Sequence, residues 1–237
     1  MTEVDKRARI AGAVYLAASL PAFFALAYVP NALIVSGDAA ASMAHIAARE
    51  PLFRWGLTAE LIGFALWTFV PLALYRLLAD VDKALAALMV VLGLMTVPMM
   101  FANALSEMAV LTLIGDPRFG AAFTPHQLQA LVALSLRTHG QGFTLAGLFW
   151  GLWLFPFAAL VWRSGFLPKF IAVLLTLAGA AWLTGSLTAV LAPQAFDTVA
   201  PIASIFRKGE LVTILWLLIM GARTPTAAAT KLAAVPG

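Results

Sequence analysis

Eight ionisable side chains lie inside, or at the mouths of, long apolar runs: Arg54, Glu60, Glu107, Arg137, His139, Arg207, Lys208 and Glu210. A charge in such a place is costly to keep, so each needs a function or a partner. Together they could hold a small polar or anionic ligand, His139 with a glutamate could move a proton, and His139 could change state near neutral pH. Asn103 joins the set because Thr96, Met100, Asn103 and Glu107 follow helical spacing. The candidate binding residues are therefore Arg54, Glu60, Asn103, Glu107, Arg137, His139, Arg207 and Glu210.

Other chemistries lack their residues. The chain has no cysteine, which removes disulfides, thiolate metal sites and cysteine nucleophiles together. HExxH, a phosphate-binding Walker loop and a nucleophile elbow are absent. Ser106 has no neighbouring base in sequence, and Met95, Met99, Met100 and Met108 read as adaptable packing rather than a copper(I) site. The three histidines, His45, His126 and His139, fall in loops or at a span mouth, which argues against a haem clamped between span centres. No catalytic residue, metal or cofactor is expected.

The elements that must position these residues are apolar helices. Of 237 residues, 62% are hydrophobic and 11% charged, against roughly 25% charged in a soluble domain. Crossing about 30 Å of hydrocarbon takes roughly 20 helical residues, and backbone groups inside lipid must bond within their own segment. Six spans are expected: 9 to 29, 55 to 76, 85 to 110, 142 to 162, 169 to 191 and 201 to 222. Residues 1 to 8 would be a short head, 9 to 222 a single six-helix transmembrane domain and 223 to 237 a flexible tail. Lys6, Arg7 and Arg9 before the first apolar run imitate a signal peptide, but the run is too long for one.

Charge bias sets the expected topology. With both termini in the cytoplasm, the inner segments hold Lys6, Arg7, Arg9, Arg76, Lys83, Arg163, Lys169, Arg223 and Lys231. The short loops ADVDKA and RSGFLPK lie on that side. The basic residues are scattered rather than gathered in a stripe, so no nucleic-acid partner is expected. The bilayer of the inner (plasma) membrane is the expected partner, and all the intramembrane charges fall in its outer half.

Both long outer loops should carry a short interfacial helix. In the first, Ser36 or Asp38 would cap a helix and Pro51 would stop it. In the second, Thr124-Pro125-His126-Gln127 fits a capping box with proline at the first helical position, so a helix should run from Pro125 toward Arg137. Gly140 and Gly142 would then let the chain bend into the fourth span. Gly147 and Gly151 form a GxxxG pair, related to Ala181 and Gly185, that favours close packing of spans four and five or a homo-oligomer.

The sixth span is marginal by itself. Its uninterrupted apolar part, LVTILWLLIMGA, is too short to cross, so the helix must extend back through Glu210, Lys208 and Arg207. Its strongly apolar residues favour insertion by about 3 to 6 kcal/mol in total, while two central bases oppose it by about 5 to 7. Partners are needed, and Glu210, three residues from Arg207, is the nearest. The expected result is an outward-facing charged pocket.

The chain resembles a family of bacterial multi-pass proteins, domain of unknown function 4386. The resemblance rests on RIAGAVYLAASLPAFF, REPLFRWGLTAEL, THGQGF, RSGFLPK and KGELVTILWLL, in that order. It implies a helical membrane bundle and carries no established activity. Arg54, His139 and Glu210 fall in the matching segments, and Glu107 lies outside them. The reading that follows is a binding or transport module for a small polar, amphiphilic, lipid or anionic ligand. Two alternatives stand beside it: an accessory subunit whose charges only pair with one another, and a membrane enzyme using His139 and a glutamate.

Overall fold

The computed structural model describes residues 2–222, and every regular element among them is helical. Helix α1 (Glu3–Phe23) passes through a π-helical turn at Phe24–Tyr28 into α2 (Val29–Leu33). Then follow α3 (Ala39–Ala48), α4 (Glu50–Trp67), α5 (Phe69–Leu78), α6 (Lys83–Leu94), α7 (Thr96–Gly115) and α8 (Pro117–Ala122). The last described elements are α9 (Pro125–Ser164), α10 (Lys169–Leu191), α11 (Phe196–Arg207), α12 (Gly209–Leu215) and a π-helical turn at Trp216–Met220. This is an all-α membrane bundle.

Among the described residues, five continuous helical stretches are long and apolar enough to cross a bilayer: Glu3–Leu33, Glu50–Leu78, Lys83–Gly115, Pro125–Ser164 and Lys169–Leu191. The sixth expected span does extend back through its charges, as α11 and α12, but it is interrupted at Lys208. Just past the interruption a Cβ on Gly209 would sit 2.9 Å from the Leu174 carbonyl oxygen, so the two backbones lie almost in contact. The proposed tail, 223 to 237, lies outside the described residues.

Proline places two of the helix junctions. Pro71 and Pro98 each follow a junction, at Thr68 and Met95, by three residues. A proline offers no N–H to the carbonyl four residues back and its ring crowds that carbonyl, so the ladder is disturbed there. Pro51 behaves otherwise than expected. It does not stop α3 but sits in the first turn of α4, where a missing N–H costs nothing. Asp38 is the cap of α3, its side chain accepting from the Ala41 N–H at 2.8 Å. Asp116 caps the short α8 and lies beside Arg118, whose guanidinium holds the carboxyl below its ordinary pKa.

The second expected helix is also corrected. Thr124 and Gln127 form the reciprocal capping box, with Gln127 N–H donating to Thr124 Oγ1 and Thr124 N–H to Gln127 Oε1. But α9 then runs unbroken for 40 residues, past Gly140 and Gly142 and through Pro156. There is no separate surface helix followed by a bend.

The chain divides into two compact units. One comprises residues 17–67 and 97–146, with a core of Val29, Leu33, Ile46, Phe53, Val110 and Val132. Gly56 lets α4 approach α2, since a Cβ there would lie 2.9 Å from Val29 Cγ1. The other comprises residues 1–16, 68–96 and 147 onward, built around the fully buried Tyr15, Leu74, Trp153, Phe157, Leu160 and Ile171. In that unit Arg9 donates to the carbonyls of Leu218 and Ile219 at 3.2 and 2.8 Å, and Asp5 accepts from the Ala222 N–H. The two described ends of the chain therefore meet, with a cation on the exposed carbonyls of a helix C-terminus.

Gly147 and Gly151 are spent within the chain. Gly147 lies against Trp182 and Ser186, and a Cβ on Gly151 would sit 2.8 Å from the Gly179 carbonyl oxygen. Replacing Gly151 by valine should overpack this seam and cost about 1–3 kcal/mol, read as a lower melting temperature of the purified protein in detergent. An unchanged melting temperature would show that α9 and α10 do not approach this closely.

Candidate functional site

Three helices bring two carboxyls and an imidazole together inside the unit of residues 17–67 and 97–146. Glu60 lies on α4 and is 1% exposed, although its helix carries no basic residue in the adjoining turns. Glu107 lies on α7 and His139 on α9, each side chain 12% exposed. His139 Nε2 stands 3.1 Å from Glu60 Oε1, and its Nδ1 3.8 Å from Glu107 Oε1. The imidazole is thus placed between the acids, one ring nitrogen toward each. One ligand atom from each of the three residues lies within 4.8 Å of the others.

The neighbouring sequence explains why α9 comes so close. Asn103, one helical turn before Glu107, donates from Nδ2 to the His139 carbonyl oxygen at 2.9 Å. Gly142 supplies the room, because a Cβ there would collide with the Asn103 side chain. Asn103 is therefore a positioning residue that registers α7 against α9. Gly140, by contrast, faces open space. The glycine pair acts through close approach at one position and not through bending.

Glu60 Oε2 is buried and has no hydrogen-bond partner among the described residues. A buried carboxylate oxygen without a donor is costly, of the order of 1–3 kcal/mol or more. No lysine or arginine forms an ion pair with Glu60 or Glu107 among the described residues; the imidazole is the counter-group of both.

Glu210 has a different environment, in the other unit. Tyr15 donates its hydroxyl to Glu210 Oε2 at 2.6 Å, and Trp182 Nε1 donates to Oε1 at 2.8 Å. Arg207 does not complete an ion pair with it. Its guanidinium lies over the Trp182 ring, 4.3 Å from the centroid, and Gly185 leaves space for it. The acid of the sixth span is thus held by neutral donors, and the arginine by an aromatic face.

The remaining candidates stand apart from both groups. Arg54 pairs with Glu50 one turn earlier, at 2.7 Å, on an open groove of about 710 Å³ lined also by Trp55 and Thr58. Arg137 and Lys208 are exposed. Thr96 turns back on its own helix, donating to the Gly93 carbonyl.

The family model for a domain of unknown function, DUF4386, matches residues 10–221. The chain belongs to this family. No curated protein and no solved structure matched it. All three residues of the Glu60–Glu107–His139 group, and Tyr15, Trp182 and Glu210, lie within the DUF4386 match.

In this DUF4386 chain, sequence reasoning overlooked Tyr15 and Trp182. A signal was available: both stand well inside apolar runs, whereas membrane tyrosine and tryptophan usually sit at the interfaces. The Glu50–Arg54 pair was equally visible as an i, i+4 spacing.

The two glycines give a direct check. Gly140→Ala should leave stability unchanged or raise it by up to about 1 kcal/mol, as for a helix-interior glycine with space around it. Gly142→Ala should drive Asn103 off the His139 carbonyl and cost about 1–2 kcal/mol. Equal effects of both substitutions in thermal unfolding would contradict this geometry.

Proposed function

We propose that the protein is a membrane-embedded binding module, and that its working site is the Glu60–His139–Glu107 group. The observation that carries this reading is the composition of the group. Two carboxylates surround a single imidazole, so ionised acids leave the site negative even when the ring is charged. In a poorly polarisable interior that field favours a small cation. The arginines that would have suited an anion stand elsewhere, Arg54 on Glu50 and Arg207 on Trp182.

Burial and convergence support a site rather than a headgroup contact. A surface pair would lie in water, whereas Glu60 is 1% exposed and reaches its partner across 79 positions of sequence. The loop charges support insertion in the plasma membrane with both termini in the cytoplasm, which puts this group toward the outer leaflet. The Glu210 group favours a second, structural role for charge in the same chain, because both its carboxylate oxygens already accept from neutral donors.

The test is thermal unfolding of the purified protein against a panel of alkali, alkaline-earth, transition-metal and organic ammonium cations, with anions and lipids alongside. A ligand at one hundred times its Kd stabilises the folded state by about 2.7 kcal/mol. A cation should raise the melting temperature of the native chain and of Tyr15→Phe, and fail to do so in Glu60→Gln. A response confined to anions or lipids, or one that survives Glu60→Gln, would refute the reading.

A further inference from the structure

The Glu60–His139–Glu107 group has the chemistry of a particular cation. Building on the binding-site reading above, we propose that it is a site for a divalent transition-metal ion of the zinc class, bound by Glu60, Glu107 and His139. The three donors come from α4, α7 and α9, with one ligand atom from each within 4.8 Å of the others. Zinc–nitrogen and zinc–oxygen bonds of about 2.0–2.2 Å place tetrahedral ligands roughly 3.4 Å apart. Closing the group onto a metal therefore takes side-chain movements of about an ångström, within reach of glutamate rotamers.

Charge selects a dication. Two carboxylates and a neutral imidazole cancel a charge of +2, leaving a neutral site in an apolar surround. A monovalent ion would leave one carboxylate uncompensated. Ligand type then narrows the choice: magnesium and calcium want six or more oxygens, whereas an imidazole with carboxylates suits zinc and its neighbours.

Glu60 Oε2 points the same way independently. It is buried, and no donor in the described residues satisfies it. A metal would give that oxygen a coordination position or a bound water. The imidazole has a carboxylate toward each ring nitrogen. The ring nitrogen that binds the metal draws both carboxylates to itself, so the other nitrogen gives up its present carboxylate. Three protein ligands also leave a fourth position open for water or a further ligand.

The experiment uses the full chain, purified without a histidine tag, stripped with chelator and dialysed against zinc. Metal content and melting temperature are read together. The native protein should retain one zinc per chain and melt higher with it, while magnesium at the same concentration does nothing. Glu60→Gln and His139→Gln should each weaken zinc binding at least tenfold. The exposed His45 and His126 are the sources of adventitious binding, so His45→Ala/His126→Ala should bind as the native chain does.

No retained zinc in the native chain overturns the proposal, as does zinc lost in the His45/His126 variant and kept in Glu60→Gln. Should the site variants fail to fold, zinc-edge X-ray absorption of the native protein decides: one imidazole among oxygen ligands supports the assignment, and none or several overturns it. If zinc fails while another cation still stabilises the chain in a Glu60-dependent way, the binding module stands and only its metal identity falls.

Discussion

A carboxyl group removed from water must be given partners, and Glu60 is the point where this chain meets that requirement most severely. Its side chain is 1% exposed in a sequence chosen almost everywhere for apolarity. Leaving such a group unpaired would be ruinous to a bundle whose net stability is only of the order of 10 kcal/mol. The answer is an imidazole delivered by α9, and much else in that unit serves the delivery. Asn103 holds the His139 carbonyl, and Gly142 makes room for Asn103.

The chain satisfies Glu210 by a different route. Glu210 accepts from a phenol and an indole, groups that do not change charge near neutral pH. Such a pairing is fixed. Glu60 instead faces a group that can gain or lose a proton, or exchange it for a metal, under ordinary conditions. The same physical problem, an acid inside a membrane bundle, is thus solved once with permanent donors and once with an exchangeable one. This difference is why function is assigned to the first group and packing to the second.

Much of the fold could be read from the residues because its rules are local. Apolar length gave the long helices, Thr124 and Gln127 announced the start of α9, and Asp38 announced α3. Glu60, Glu107, His139 and Asn103 were all picked out, since a charge or amide on an apolar helix has few innocent explanations. What could not be read was partnership. One pocket joining acids and bases was expected, yet the arginines found other company: Arg54 with Glu50, Arg207 with Trp182. Glycines at 140 and 142 looked like a hinge because spacing alone does not show what a missing Cβ makes room for. Tyr15 and Trp182 passed unnoticed because their polar atoms are a small part of large apolar bodies.

If Glu60 and His139 are energetically one unit, a double-mutant cycle of Glu60→Gln and His139→Gln, measured by unfolding in detergent, will show it. Strong non-additivity is expected, with a coupling of at least about 1 kcal/mol, because either single substitution strands its partner. Effects that add to within about 0.3–0.5 kcal/mol would mean that the two side chains do not sense each other, and would contradict it.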